Sequence, residues 1–476
     1  MLVSIGMACS ALMFVFPAEG IHLGNYKLRF KTWNNLQDSI GERKIEDVEK
    51  FLAQFDSIAL VADSLRNDSL RSSMKRPISI AALQFKDHDS SPFFSFFHAL
   101  DSASAGKQIH IYHYGDSQIE TDRMTGMIRE KLQEKFGGHG PGLTSPLPVT
   151  ASSNIVQSQS SNWKRYTSYG FDDGNVSHNK FGVMCSFARF TPAKKKADID
   201  STKYIEGWLE FRPSGMSQPH CKTYNQAIMY LGNHQFPFTL SVYNEKTLLW
   251  QQNVSVSSQM QIFTWPILPS QEKLKFNFYG PDSPDVYALS FQDSTGVSTS
   301  NIALRGNDGS AMSKTNSAEI RSTFNHLGAD LIILQFGGNA IPYLKGENAA
   351  LNYGKMFQSW IRNMKSHAPD AAILVIGPSD MSTSIDGVFQ TCPYLEKVRY
   401  GMKEAAFNEG CAFWDMYEVM GGKNSMVSWV TNNPPYAGPD YTHFTPAGAK
   451  KMAELLYKAI HDEYEAWRMA QRPFNR

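Results

Sequence analysis

Residues 109–118 read IHIYHYGDSQ, a short apolar run that ends in a glycine and a polar turn. The run is rich in β-branched and aromatic residues, which predicts a buried strand. Beyond it, apolar residues recur at spacings of three and four and predict a helix; they are Met124, Met127, Ile128, Leu132 and Phe136. Ser117 is therefore expected where a strand turns into a helix, near backbone N–H groups that stabilise negative charge.

Further apolar runs follow along the chain. They are VYALSF (286–291), DLIILQF (330–336), AAILVIG (371–377) and CAFWDMY (411–417). The segment LNYGKMFQSWIRNMKSHAP, which begins at Leu351, has the apolar face of a helix between two of these runs. Apolar strands that alternate with helices predict an α/β fold, in which a parallel sheet is covered on both faces. Ligands bind beyond the carboxyl ends of such strands, which is where Ser117 would lie.

A second polar motif, DYTH, occupies residues 440–443. It precedes the segment TPAGAKKMAELLYKAI, which predicts a helix with Thr445 as its N-cap and Pro446 as its first residue. Asp440 and His443 are close enough to share one loop, so the carboxylate could fix the tautomer of the imidazole. Together with the hydroxyl of Ser117, they would supply a nucleophile, a base and an orienting acid.

These motifs resemble the SGNH, or GDSL-type, serine esterase family, whose members carry four sequence blocks in a fixed order. The first block matches the residues GDS at 115–117, and the last block, D-x-x-H, matches Asp440 and His443. The resemblance covers roughly residues 105–145 and 295–460. Each tetrapeptide alone is a common turn sequence, but four of them in this order, each after a predicted strand, favour the family reading.

The two middle blocks of the family supply an oxyanion hole. The third, G-x-N-D, corresponds to GGNA at 337–340, where Ala340 replaces the acid that often follows the asparagine. The second contributes a glycine, and the stretch NIALRGNDG places Gly306 five residues after Asn301. Gly309 is the competing assignment.

The resemblance implies a three-layer α/β/α, flavodoxin-like hydrolase domain. It assigns Ser117 as the nucleophile, His443 as the base and Asp440 as the residue that orients the base. It assigns the oxyanion hole to the N–H groups of Ser117 and Gly306 and to the side-chain amide of Asn339. No cofactor is implied.

Residues 150–290 have a different sequence pattern. Short β-rich segments are divided by polar turns: WLEFRP, AIMYLG, FTLSVYN, LLWQQNVSVSS, IFTWPIL and KLKFNFYG. They predict an antiparallel, jelly-roll-like β-sandwich inserted into a catalytic domain that is split into residues 101–149 and 291–476. This architecture resembles the bacterial peptidoglycan O-acetylesterases that carry a carbohydrate-binding-type module. His178, Trp163 and Trp208 could face a sugar, although a place in the core or at a rim is the simpler expectation.

Residues 1–100 precede the strands and helices predicted for the catalytic domain. Residues 1–18 form an apolar run that is typical of a secretory signal, with an uncleaved anchor as the alternative. Residues 19–100 are predicted to be a helical extension, with helices in the segments 43–74 and 91–107. We therefore expect an exported protein that is periplasmic, attached to the cell envelope or extracellular.

Composition narrows the possible partners. The 46 basic and 45 acidic residues nearly cancel, so the positive field that nucleic-acid binding exploits is absent. Beyond the apolar run, four cysteines remain; the pairs Cys185–Cys221 and Cys392–Cys411 could form disulfides, and free buried thiols are an equal alternative. Neither they nor the 13 histidines have the spacing of a metal site, so no metal is expected.

The function expected from these features is that of a secreted serine esterase that removes O-acetyl or other short acyl groups from a glycan. Peptidoglycan is the first candidate substrate and another polysaccharide the second. Two alternatives remain open: a non-catalytic glycan-binding protein on a degenerate hydrolase scaffold, and an O-acetyltransferase that uses the same three residues.

Overall fold

The computed structural model describes residues 21–23, 26–28, 47–55, 79–170, 173–268 and 273–471. The secretory signal expected at residues 1–18 and most of the helix expected in the segment 43–74 lie outside the described residues. Helix α1 comprises residues 48–55, and helix α2, Phe94–Ser102, confirms the helix predicted before the first catalytic strand. Two short strands that the sequence did not predict, β1 (Ile21–Leu23) and β2 (Tyr26–Leu28), pair antiparallel.

The next unit is a strand, a 3-10 helix and an α-helix. Strand β3, Gln108–Gly115, confirms the predicted buried strand. The 3-10 helix Ser117–Asp122 follows, and helix α3 spans Thr125–Phe136. The predicted helix is confirmed as α3, but a 3-10 turn separates it from Ser117, because Glu120 and Thr121 have non-helical backbone angles, with a φ of 58° at Thr121. Ser117 thus begins a tight 3-10 turn and not an α-helix.

Two antiparallel sheets come next. Their strands are β4 (Gly142–Thr144), β5 (Ile155–Gln159), β6 (Lys164–Thr167), β7 (Ser186–Arg189), β8 (Ile205–Pro213), β9 (Gln226–Gly232), β10 (Phe238–Asn244), β11 (Thr247–Val254), β12 (Gln261–Pro266), β13 (Leu274–Gly280) and β14 (Asp285–Gln292). One sheet has the order β11–β10–β13–β8–β5, and the other β12–β9–β14–β7–β6, with β4 also paired to β14. One hydrophobic cluster takes residues from both sheets, including Phe211 and Phe276 from the first and Met229 and Phe291 from the second.

The remaining elements belong to the α/β part. Its strands are β15 (Gly296–Ala303), β16 (Leu331–Gln335), β17 (Ala372–Ile376), β18 (Ser382–Ile385), β19 (Val388–Thr391) and β20 (Ala412–Trp414). Its helices are α4 (Ser317–Leu327), α5 (Glu347–His367), α6 (Leu395–Asn408), α7 (Met416–Met420), α8 (Ser425–Thr431) and α9 (Pro446–Gln471). Strands β18 and β19 form a hairpin outside the main sheet.

The main sheet is parallel throughout and has the order β15–β3–β16–β17–β20. In chain order this is the 2-1-3-4-5 arrangement of flavodoxin-like folds. Successive residues of β3 point to opposite faces: Ile111 joins a cluster that includes Ile128 of α3, and Tyr112 joins one that includes Phe324 of α4. Helices therefore cover both faces of the sheet, and the α/β prediction is confirmed.

One predicted strand of this sheet was wrong. The run VYALSF at 286–291 lies in β14 of an antiparallel sheet, whereas the second strand of the parallel sheet is β15, with the polar sequence GVSTSNIA. A fully buried strand reads as a continuous apolar run in either kind of sheet, so the run could not be assigned to one of them. The polar residues of β15 are buried because they find partners: Ser300 Oγ accepts from the N–H of Leu143, and the carbonyl of Thr299 accepts from Arg129.

Cys185, Cys221, Cys392 and Cys411 are free thiols, so neither local disulfide forms. Burial raises the pKa of Cys185 and of Cys411 to about 12 each. Among the described residues, no helix has both the length and the apolar character needed to cross a bilayer.

Candidate active site

Three of the predicted site residues follow the carboxyl ends of adjacent parallel strands. Ser117 follows β3, Gly306 follows β15 and Asn339 follows β16. The register pairs the last residue of β3, Gly115, with Ala303 on one side and Gln335 on the other. These three turns therefore rise from the same edge of the sheet.

The two outer motifs of the sequence meet at this edge. Ser117 Oγ lies 2.8 Å from His443 Nε2. On the other side of the ring, His443 Nδ1 lies 2.8 Å from Asp440 Oδ2. These two hydrogen bonds are consistent with a neutral imidazole that donates from Nδ1 to the carboxylate and accepts at Nε2 from the serine hydroxyl. As expected, Pro446 is the first residue of α9, and Thr445 Oγ1 accepts from the N–H of Gly448.

The carboxylate of Asp440 also accepts main-chain hydrogen bonds. Its Oδ1 lies 3.0 Å from the N–H of His443 and 3.1 Å from that of Thr442. Partial burial alone would raise the pKa of Asp440, but these hydrogen bonds and the one from the imidazole outweigh burial and lower the pKa. The carboxylate is therefore ionised over the neutral range, as an orienting group must be.

Tyr441 has a φ of 53°, a left-handed conformation that is costly for a bulky side chain. Its ring stacks on that of Phe389 in the β18–β19 hairpin, with centroids 3.8 Å apart. Its carbonyl accepts from the N–H of Ser382 at 3.0 Å. These contacts hold the chain in the turn that places Asp440 and His443 side by side.

Asp116 is buried beside Ser117, with 4% of its surface exposed. Its carboxylate accepts from the N–H of Gln118 at 2.9 Å and so caps the 3-10 helix. Burial raises its pKa to about 6, because the hydrogen bond and the nearby imidazole of His443 compensate only partly for the loss of water.

Gln118 was not predicted as a functional residue, although it is the fourth residue of the GDSQ motif. Its Nε2 donates to the carbonyl of Thr442 at 2.6 Å, and its Oε1 accepts from the N–H of Phe444 at 3.4 Å. One amide thus holds the main chain on both sides of His443. Nε2 also donates to Ser379 Oγ at 3.3 Å. The only sequence signal was a large polar residue next to the nucleophile.

The side chain of Asn339 is oriented by a main-chain acceptor: its Nδ2 donates to the carbonyl of Asn307 at 3.1 Å. An amide nitrogen carries two hydrogens, so a second donor remains. The turn that contains Asn339 is closed by a hydrogen bond from the N–H of Ala340 to Gly337, so the missing acid is not needed to close it. Gly337 has a φ of 109°, and a Cβ there would lie 2.8 Å from Met402 Sδ.

The two candidate glycines differ in their surroundings. Gly306 has a φ of 74° and open space where a Cβ would be. The N–H of Gly309 donates to Asn307 Oδ1 at 2.8 Å, and the residue packs against Trp360. Gly309 has its N–H engaged within its own loop, which favours Gly306 as the oxyanion donor.

A salt bridge joins this glycine loop to the 3-10 helix that begins at Ser117. Arg305, next to Gly306, lies 3.0 Å from the carboxylate of Glu120, which is buried in the same 3-10 helix as Ser117. Asn301 adds a second link, because its Nδ2 donates to the carbonyl of Ile119 at 2.8 Å.

The aromatic candidates for sugar contact are engaged within the β-rich part. Trp163 packs edge-on against Phe190 and Phe278. His178 lies 2.8 Å from the side-chain nitrogen of Asn233, and the ring of Trp208 lies under the ammonium group of Lys275. These positions fit the simpler expectation of a structural role.

No family model matches the sequence, and no curated protein matches it. Among solved structures, the chain is similar to a peptidoglycan O-acetylesterase, with a TM-score of 0.61 and 19% identity over 79% of this chain and 97% of the other. Weaker likenesses include an acetyl xylan esterase, AlAXEase (TM-score 0.27, 16% identity, 34% and 81% covered). Another is a family two carbohydrate esterase from Clostridium thermocellum (TM-score 0.26, 10% identity, 64% and 99% covered). The predicted resemblance to SGNH-type esterases is thereby confirmed at the level of the fold, which this chain shares with the solved peptidoglycan O-acetylesterase.

Proposed function

We propose that this protein is a serine esterase that removes O-acetyl or other short acyl groups from a glycan, with peptidoglycan as the first candidate. The observation that carries the proposal is the continuous hydrogen-bonded chain from Ser117 through His443 to Asp440. A hydroxyl, an imidazole and an ionised carboxylate in this order are the components of acyl transfer through a covalent intermediate.

In the proposed reaction, Ser117 Oγ attacks the carbonyl carbon of the ester while His443 Nε2 takes the hydroxyl proton. The tetrahedral intermediate collapses, and the imidazolium gives that proton to the departing sugar oxygen. Water then attacks the acyl-serine, again with His443 as the base, and releases the acid and the free hydroxyl. Asp440 holds the ring in the required tautomer and stabilises its cationic form.

We assign the oxyanion hole to the N–H groups of Ser117 and Gly306 and to the remaining donor of the Asn339 amide. The position of Asn339 is supported by its hydrogen bond to Asn307. Donors fixed before the reaction stabilise the developing charge without reorganisation, which is why such groups contribute strongly to the rate.

We propose a glycan substrate because of the architecture of the protein. The solved structure that shares this fold is a peptidoglycan O-acetylesterase, and the likeness covers 79% of this chain. We interpret the two antiparallel sheets as an inserted β-sandwich of the jelly-roll, carbohydrate-binding type, because both contribute to one buried cluster. Export to the periplasm, cell envelope or medium, with N-terminal membrane attachment as an alternative, belongs to the same proposal.

Hydrolysis is favoured over the two alternatives. A degenerate scaffold has no need for the complete chain from Ser117 to Asp440. A transferase must keep water from the acyl-enzyme, whereas the His443 side chain is 37% exposed.

The test is acetate release from O-acetylated peptidoglycan and from acetylated xylan, with an aryl acetate as a small substrate. We expect release from one polymer that is lost in Ser117→Ala. A matched control, Ser366→Ala, removes an exposed hydroxyl that contacts only its own helix. No turnover of any of the three substrates by the folded wild-type protein would contradict the proposal.

A further inference from the structure

Residues that follow Ser117 in the 3-10 helix line a cleft that does not include Ser117 itself. Glu120 and Asp122, from the 3-10 helix that begins at Ser117, form one wall. Ser145, from the loop after β4, and Arg165, from β6, form others. Asn301 closes it at the end of β15. The cleft thus lies where the parallel sheet and the antiparallel sheets meet.

Three buried polar atoms in this cleft have no hydrogen-bond partner among the described residues: Ser145 Oγ, Arg165 Nε and Asn301 Oδ1. Buried polar groups are nearly always paired, so three orphans in one cleft need an explanation. Asn301 is not free to turn away, because its Nδ2 is fixed on the carbonyl of Ile119. Its oxygen is thereby held as an acceptor, while Arg165 and Ser145 offer donors.

The other charged groups of the cleft wall are already neutralised. Arg129 and Asp122 form a buried pair at 2.6 Å, and Glu120 pairs with Arg305. Within the described ranges, no carboxylate lies within salt-bridge distance of Arg165. Arg165 also interacts with the phenol of Tyr169, whose pKa burial raises, so that neighbour is neutral and cannot balance the cation.

We infer that this cleft is a binding site for a carboxylated saccharide unit, with Arg165 as the residue that recognises the carboxylate. Asn301 Oδ1 and Ser145 Oγ pair with sugar hydroxyl groups. The side chains of Leu143, Val149 and Met184 offer an apolar wall for the face of the ring. The inference rests on the proposed function, since it describes how an acidic unit of the glycan would be held by the 3-10 helix that begins at Ser117.

The test is a binding titration of the full-length protein with glucuronic acid and with glucose, which lacks the carboxylate. Neither sugar carries an O-acyl ester, so the measurement does not depend on turnover. We expect the acidic sugar to bind more tightly, and Arg165→Met to weaken its binding roughly tenfold to a hundredfold, as for a lost hydrogen bond to a charged group. Binding of the neutral sugar should change less than threefold.

Two further variants keep the test decisive. Ser145→Asp adds a negative charge to the same cleft and should also weaken binding of the acidic sugar. Arg321→Met removes an exposed guanidinium from α4, which contributes no residue to the lining of the cleft, and should leave binding unchanged.

Equal binding of the two sugars, no binding of either, or unaltered binding by folded Arg165→Met would each overturn the inference. Turnover of an aryl acetate by the wild-type protein reports separately on the esterase, so failure of the proposed function and failure of the cleft are distinguishable.

Discussion

Replacement of Gln118 by leucine tests whether this amide positions His443, because it changes no residue that takes part in the proposed reaction. Leucine has a similar volume and no polar group, so Gln118→Leu removes the hydrogen bonds to Thr442, Phe444 and Ser379 and leaves the catalytic residues intact. His443 would then keep its partner Asp440 but lose the tie that fixes its main chain against the nucleophile turn.

The magnitude follows from the geometry. The bond at 2.6 Å is short and is worth about 1 kcal/mol net, and the two longer bonds, at 3.3 Å and 3.4 Å, are together worth about as much again. A loss of about 2 kcal/mol in the free energy that favours the productive loop position corresponds to roughly a thirtyfold fall in kcat. KM for a small ester should change less than twofold, because Gln118 does not hold the substrate.

The assay is steady-state turnover of an aryl acetate, with the thermal midpoint measured on the same preparations. Gln251→Leu is the matched control: Gln251 donates one hydrogen bond to Ser241 on an exposed edge strand, and its loss should leave kcat unchanged. A folded Gln118→Leu protein that retained kcat within a factor of two would refute the argument that this amide positions His443.

Three further predictions concern the same site. Asn339→Ala should lower kcat on an aryl acetate roughly a hundredfold to a thousandfold through the loss of an oxyanion donor; a fall of less than tenfold would exclude that role. Asp440→Asn should lower kcat by roughly a hundredfold to ten-thousandfold through the wrong imidazole tautomer, with the fold checked by circular dichroism. Asp116→Asn should stabilise the protein at pH 8 by up to about 3 kcal/mol and have little effect below pH 4. The folded-state pKa of about 6 lies above the unfolded value of 3.8, so wild-type stability is lost between these values as pH rises. Denaturant unfolding at both pH values measures the difference, and an equal effect at both would contradict it.

The sequence predicted the α/β part best where polar motifs end apolar strands. Ser117, Asp440 and His443 were identified because their chemistry requires particular residue types, and the structure brings them within hydrogen-bonding distance. The strand β15 was missed because its polar residues are buried through partners elsewhere in the chain, such as Leu143. No local pattern reports a partner that lies more than a hundred residues away.

The contacts that hold Ser117, His443 and Asp440 in place could not be predicted from the sequence, for the same reason. Gln118 acts on Thr442 and Phe444, and Tyr441 is held by a ring on a separate hairpin. Each of these contacts depends on how two distant loops meet in space. Glutamine and tyrosine in turns carry no distinguishing spacing, so only the fold reveals what they contact.

The β-rich segment separates β3 from β15 in the sequence, and this separation has a consequence for biosynthesis. Gln108 pairs with Gly296, so the first strand of the parallel sheet leaves the ribosome long before either neighbour exists. At typical elongation rates this delay lasts roughly ten to forty seconds. The antiparallel sheets are complete by then, and we expect them to fold first while β3 stays unpaired. A nascent chain arrested before β15 emerges from the ribosome should therefore resist proteolysis in the β-rich segment and be cleaved near β3.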